Sequence, residues 1–259
     1  MRRTKFMLGL CALTVLGLAA SAALAAPPGA AKCAGGEIPP GVYKSLTVTG
    51  NCTIKGEVTI DGNVKVADRA YLDAAYLNTT LTINGNVSVG RDAILGLGCS
   101  FGYHDCGFNP NDWLDAVNVE GNIDAKDALT MYLDFVHVRG NVSWKGGGDL
   151  SLVDHPPIED GLALVIKDDV IDGNLKVDGW EGAWFGIIRC TVHGNVMVAH
   201  TAGTRLDPDS GTPDSTEVVT NTISGNLNCR DNSPPAQIGD SGGSPNTVNG
   251  KKTGECAGL

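Results

Sequence analysis

The sequence predicts an all-β chain wound as a right-handed parallel β-helix, a solenoid of about nine coils capped at both ends by disulfides. Three observations carry that prediction. A Gly-Asn pair recurs along the chain, apolar residues alternate with period two on either side of it, and cysteine pairs stand at the two limits of the repeat.

Gly-Asn begins at Gly50, Gly62, Gly85, Gly121, Gly140, Gly173, Gly194 and Gly225. An apolar residue follows each pair: Cys52, Val64, Val87, Ile123, Val142, Leu175, Val196 or Leu227. Another stands two residues before each glycine, from Val48, Ile60 and Ile83 through Val119, Val138, Ile171, Val192 and Ile223. Asn246-Thr247-Val248-Asn249-Gly250 is a degenerate further copy. Alternation on both sides of a glycine describes two short strands meeting at a corner. Glycine reaches positive φ without cost and Asn tolerates it better than most residues, so the pair suits a sharp bend. A third strand follows in the better copies, as in Ala70-Tyr71-Leu72 and Ala93-Ile94-Leu95. Three strands and three corners in ~20 residues make one coil, which buries its inward side chains only by stacking on its neighbours. The repeated Asn is expected to form an internal ladder of amides. A strict six-residue period, the mark of left-handed β-helices, is absent, which favours the right-handed form.

The start of the chain has a different character. Arg2, Arg3 and Lys5 precede an apolar run over residues 6–20, and Ala23-Leu24-Ala25 has the small-x-small pattern of a cleavage site. Residues 1–25 are therefore expected to be a secretory signal peptide, with residues 26–259 forming one secreted, extracellular domain. The apolar run barely reaches the ~20 residues a membrane span needs, so no stable membrane insertion is expected. Export implies an oxidising compartment, and closely spaced cysteines there are read as disulfides: Cys33–Cys52, Cys99–Cys106 and Cys229–Cys256, with Cys190 left over. Cys190 stands four residues before Gly194, an inward position, and is read as a small buried hydrophobe. Zinc is weighed only at Cys99, His104 and Cys106; without a second ligand pair no metal is assigned.

Composition narrows the partners. The chain has 19 Lys and Arg against 29 Asp and Glu, and losing the leader takes the net charge from -10 to -13. Such an acidic chain, with five Phe, five Tyr and four Trp, is a poor candidate for nucleic acid or anionic lipid. A monomer is expected, with extracellular or cell-wall polysaccharide as its partner.

Three intervals exceed the coil spacing and are expected to be insertions: residues 96–116, 145–168 and 200–220. Binding concentrates in loops on rigid scaffolds, and the first interval is the most aromatic. Phe101, Tyr103 and Trp113 are the candidate ligand-binding residues, by stacking on sugar rings; a hydrophobic cluster pinned by Cys99–Cys106 is the plainer alternative. Trp180, Trp184 and Phe185 invite the same pair of readings. Asp207-x-Asp209-x-Gly211 has half of a calcium loop but lacks its remaining acids, so calcium at Asp207 and Asp209 is the weaker alternative to an acidic turn. No other cofactor is expected.

Alternation also identifies the side chains that leave the coil. Residues one before successive glycines place Glu120, Arg139, Asp172 and His193 in one outward column, with His137 beside it. Carboxylates beside Arg and His suit acid–base or eliminative chemistry on an acidic sugar, so these four are the candidate catalytic residues if the chain is an enzyme. An exposed ladder of alternating charge is the competing reading. A third outward set, Thr47, Thr59, Thr82, Thr191, Thr222 and Thr247, suggests ice binding and ranks last. Gly239-Asp240-Ser241-Gly242-Gly243 matches a serine-protease nucleophile segment, but only 18 residues follow Ser241 and the repeats occupy the space of the required barrels.

The Gly-Asn-Val-x-Val copies resemble the repeats of bactofilin-like, polymer-forming β-helix proteins and of secreted right-handed β-helix proteins. The segment from Asn226-Leu227-Asn228-Cys229 to Cys256 resembles the tail of a group of exported actinobacterial proteins. The resemblance implies the fold over residues 33–256 and says little about function. It departs from the polymer formers, which are cytoplasmic and lack disulfides; staples at both ends would block edge-to-edge growth. Asp168-Asp169 resembles one element of the polygalacturonase pattern, without the companions of that pattern. The function expected is a non-enzymatic structural or binding protein of the envelope or extracellular space. A polysaccharide lyase or glycoside hydrolase acting on the outer face is the alternative.

Overall fold

The computed structural model describes residues 29–76, 79–98, 117–148, 164–182, 184–203, 216–239 and 242–259. The expected signal peptide, the Cys99–Cys106 pair, Phe101, Tyr103, His104, Trp113, Asp207, Asp209 and Ser241 lie outside them. The structure is all-β, with parallel strands collected into sheets as in a β-helix or solenoid. No α-helix occurs among the described residues. The chain visits three sheets in rotation. The first has ten strands, from Ala30–Cys33 to Lys252–Gly254; the second has eight, from Gly36–Ile38 to Glu217–Val219; the third has nine, from Gly41–Tyr43 to Thr247–Val248.

Period-two alternation sorts the side chains. In the first sheet Val64, Val87, Ile123, Val142, Leu175, Val196 and Leu227 are in register and no more than 1% exposed. Ile60, Ile83, Val119 and Val138 form the matching buried column of the third sheet. Each such side chain contributes about 1.5–3 kcal/mol by leaving water, and only because the next coil covers it. Cys33, ending the first strand, is bonded to Cys52, and Cys229 to Cys256 in the final 3-10 turn. Cys190 is a free, buried thiol.

Several expectations require correction. The Gly-Asn pairs from Gly62 onward lie between third- and first-sheet strands, but Gly50-Asn51 does not. Asn51 pairs with Tyr71 and Cys52 with Leu72 in the second sheet, so this pair turns the chain from first to second. The corner of that coil is Lys44-Ser45, because Leu46 pairs with Val64. The corner glycines are not at positive φ either. Positive φ occurs at the other two corners, at Asp92, Asp127, His200 and Asp231 between first and second sheets, and at Phe135, Asp168, Arg189 and Thr220 between second and third. Glycine is required at the Gly-Asn corner by close approach: a Cβ on Gly140 would stand 2.5 Å from the Gly121 carbonyl oxygen. Gly140→Ala is accordingly expected to destabilise the protein by about 1 kcal/mol or more, measured by urea unfolding.

The Asn ladder is outside rather than internal. Asn141 Oδ1 accepts both the backbone N–H and the side-chain amide of Asn174, at 2.8 and 3.0 Å, and the pattern repeats along exposed Asn86, Asn174 and Asn195. The corner backbone is already so close-packed that the amides find room only on the solvent side. Thr47 also leaves its predicted column, since it pairs with Lys65 in the first sheet while Thr59 and Thr82 lie in the third. The intervals taken as insertions contain sheet strands: Ile94–Gly98 and Leu164–Lys167 belong to the second sheet, as does Glu217–Val219.

Candidate functional site

Glu120, Arg139, Asp172 and His193 each follow a third-sheet strand by one residue, just before a corner glycine. Stacking brings them together. The backbone N–H of Arg139, Asp172 and His193 donates to Val119, Val138 and Ile171 of the preceding coil at 2.8–2.9 Å. Asp172 is the hub. His193 Nδ1 lies 3.0 Å from its Oδ1, while His137 Nε2 and Arg139 Nη1 each lie 3.3 Å from its Oδ2. Arg139 Nε is 4.0 Å from Glu120 Oε1. His137 comes from the adjacent outward column, where it pairs with Val170.

Partial burial alone would raise the Asp172 pKa. Hydrogen bonds from His137 and Arg139, and the charge of His137, outweigh it and hold the carboxyl below its ordinary value. Both oxygens are therefore charged and occupied near neutral pH. A carboxylate in that state is a poor general acid and a weak base. The column is a ladder of hydrogen bonds and ion pairs centred on Asp172.

Among the described residues no group of three His, Cys, Asp or Glu is placed to hold a metal ion. Trp180 and Phe185 are fully buried and Trp184 is 8% exposed, so sugar stacking on these three is replaced by core packing. They are unavailable because Trp180 is buried before the short strand Glu181–Gly182, and the strand after that, Phe185–Ile188, belongs to the second sheet.

The outer face of the second sheet holds a further polar cluster that no sequence motif marks. Alternation points Tyr71, Asp73, Tyr132 and Asp134 outward, yet Asp73 and Asp134 are 4% exposed and Tyr132 is 7%. Tyr132 donates to Asp73 Oδ1 at 3.1 Å and its hydroxyl lies 2.9 Å from that of Tyr71. Gly96 makes this possible, since a Cβ there would strike the Tyr132 ring. Burial, then the Asp73 charge, pushes Tyr132 well above its usual value; the same causes put Tyr71 beyond the ordinary phenol range. Burial also pushes Asp134 up to about 7, against the pull of Lys167. The exposed column holds a lowered carboxyl at Asp172, whereas groups with raised pKa values gather on this face. The outward alternation of Tyr71 and Asp73 is the one signal in the sequence that pointed here. Set against protein-family models, curated proteins and solved structures, the chain matches none.

Proposed function

We propose that this chain is an exported, monomeric, non-enzymatic structural or binding protein that presents the loops of a rigid scaffold to extracellular or cell-wall polysaccharide. The scaffold is read as one right-handed parallel β-helix of about nine coils whose disulfides close both ends of the core. The observation that carries the non-enzymatic reading is the state of Asp172, whose two oxygens are taken by His193, His137 and Arg139. Two disulfides fit an oxidising compartment, which supports export. No helix among the described residues is long and apolar enough to cross a membrane.

The second reading, a polysaccharide lyase or hydrolase, rests on one carboxylate lying between two imidazoles and a guanidinium. One experiment separates the two. Residues 26–259 are co-sedimented with insoluble polysaccharides and cell-wall fractions, with and without calcium, and the supernatants are assayed for reducing ends and unsaturated sugars. Retention without release is the expected result. Release that disappears in Asp172→Asn would make the chain an enzyme. Absence of both would remove the polysaccharide and leave a structural role. The variant itself is expected to fold, because Asp172 is partly exposed and such pairs contribute at most about 1 kcal/mol.

A further inference from the structure

Asp134 and Lys167 face each other at the ends of neighbouring second-sheet strands, Thr130–Asp134 and Leu164–Lys167. Both point away from the core, since the preceding Leu133 and Ile166 are fully buried. They are nonetheless shielded: the side chains are 6% and 18% exposed, with Lys167 Nζ 3.1 Å from Asp134 Oδ2. Their surroundings are mixed: the charges of Asp168, Asp169 and Arg189 act on the pair, while apolar side chains continue the column. In the same column follow Ile188 and then Val219, packed with Trp184. On the other side is Gly98, where a Cβ would run into the Asp134 carbonyl oxygen.

The Asp134 carboxylate is poorly supported for an ion. Oδ1 is buried without a hydrogen-bond partner, whereas buried carboxylates ordinarily gather several donors. Burial raises the carboxyl to about 7, so its neutral form is populated near neutral pH. A low dielectric favours neutral amine and acid over the separated charges. An amine held against a carboxyl carbon in a site of this kind has the high effective concentration that intramolecular reactions exploit.

We propose that Lys167 and Asp134 condense to an isopeptide bond that joins neighbouring coils covalently. Proton transfer from the ammonium to the carboxylate gives the neutral pair. Nζ then attacks Cγ, the C–N bond forms, and one carboxyl C–O bond breaks. The oxygen leaves as water carrying two of the three ammonium protons, and the third stays on the amide nitrogen. No oxidant, reductant or further reactant enters. The product is a staple insensitive to reduction, unlike Cys33–Cys52 and Cys229–Cys256.

The test is mass spectrometry of the full folded chain, denatured and reduced, then cut with trypsin. The expected result is one branched peptide joining the Asp134 and Lys167 segments, lighter than their sum by one water, with no cleavage after Lys167. Lys167→Arg keeps the charge pair and should abolish the branch. Asp134→Asn should restore the same bond with loss of ammonia instead of water. Two separate linear peptides, cleaved after Lys167, from wild-type protein with β-sheet circular dichroism would overturn the proposal.

Discussion

Phe185→Ala is expected to lower the unfolding free energy by about 3–5 kcal/mol. Phe185 is the first residue of a second-sheet strand and points into the core between two indoles. Its ring centroid lies 6.0 Å from that of Trp144, edge-on at 82°, and 5.6 Å from that of Trp180. Trp144 comes from a first-sheet strand and Trp180 from the corner that leaves the next, so the phenyl ring joins two coils. Truncation loses its transfer energy and leaves a void that β-strands, fixed by their ladders, cannot close. Both indole N–H groups are buried without a partner, so this cluster already carries two unmet donors at about 1–3 kcal/mol each. Apolar contact must outweigh them, which leaves little reserve when the ring is removed. Urea unfolding followed by tryptophan fluorescence measures the loss. Because solenoid stability is a sum of neighbour contacts, the variant is also expected to broaden the transition or split it in two. A loss below about 1 kcal/mol with an unchanged slope would refute the argument.

Asp169→Asn is expected to do the opposite, raising stability by about 1–3 kcal/mol at pH 8 and having little effect at pH 4. Asp169 occupies an inward column of the third sheet that reads Val117, Val136, Asp169, Cys190, Asn221 and Asn246. Its Oδ1 accepts the Val136 N–H at 2.7 Å, as Asn221 Oδ1 accepts that of Cys190 at 2.8 Å. The later residues also donate to second-sheet carbonyls: Cys190 to Ile166, Asn221 to Ile187 and Asn246 to Val218. An ionised Asp169 has no donor to offer, and its Oδ2 is buried without a partner. Burial therefore pushes its carboxyl well above the ordinary value, with only the Val136 N–H and Lys167 opposing. The folded chain then keeps a proton that the unfolded chain gives up near pH 4. Stability from this group is complete below that point and is lost as pH rises towards the folded value. Asparagine keeps the acceptor, adds the missing donor and carries no charge. Thermal unfolding of both proteins from pH 4 to 8 should give curves that diverge upward in pH. Parallel curves would show that Asp169 is not a buried titrating group.

How far the sequence reached depended on which corner it could see. The Gly-Asn corner has a fixed local motif, so counting back from each glycine placed Glu120, Arg139, Asp172 and His193 in one column without knowledge of the coils between. The corners around the second sheet have no such signature. Arg69, Asp92, Asp127, His200 and Asp231 share a left-handed conformation between the first and second sheets, three of them Asp but with no dipeptide common to all. Without a register mark, Tyr71 and Tyr132 could not be aligned across 61 residues, nor Asp134 with Lys167. Gly50 shows the converse error: a local motif identical to the others sits at a different corner, because strand pairing and not the dipeptide assigns the corner.

Alternation, the corner motif and the spacing of Cys33 with Cys52 and Cys229 with Cys256 are local properties of the chain, and the sequence by itself determined the parallel-strand architecture and the column around Asp172. Only the tertiary structure decided that Trp180 and Phe185 are core, that outward-pointing Asp134 and Tyr132 are buried, and that Asp169 holds a raised carboxyl in the interior. The physical reason is that strand direction is set by sterics within a few residues, whereas desolvation is imposed by whatever the neighbouring coils place around a group.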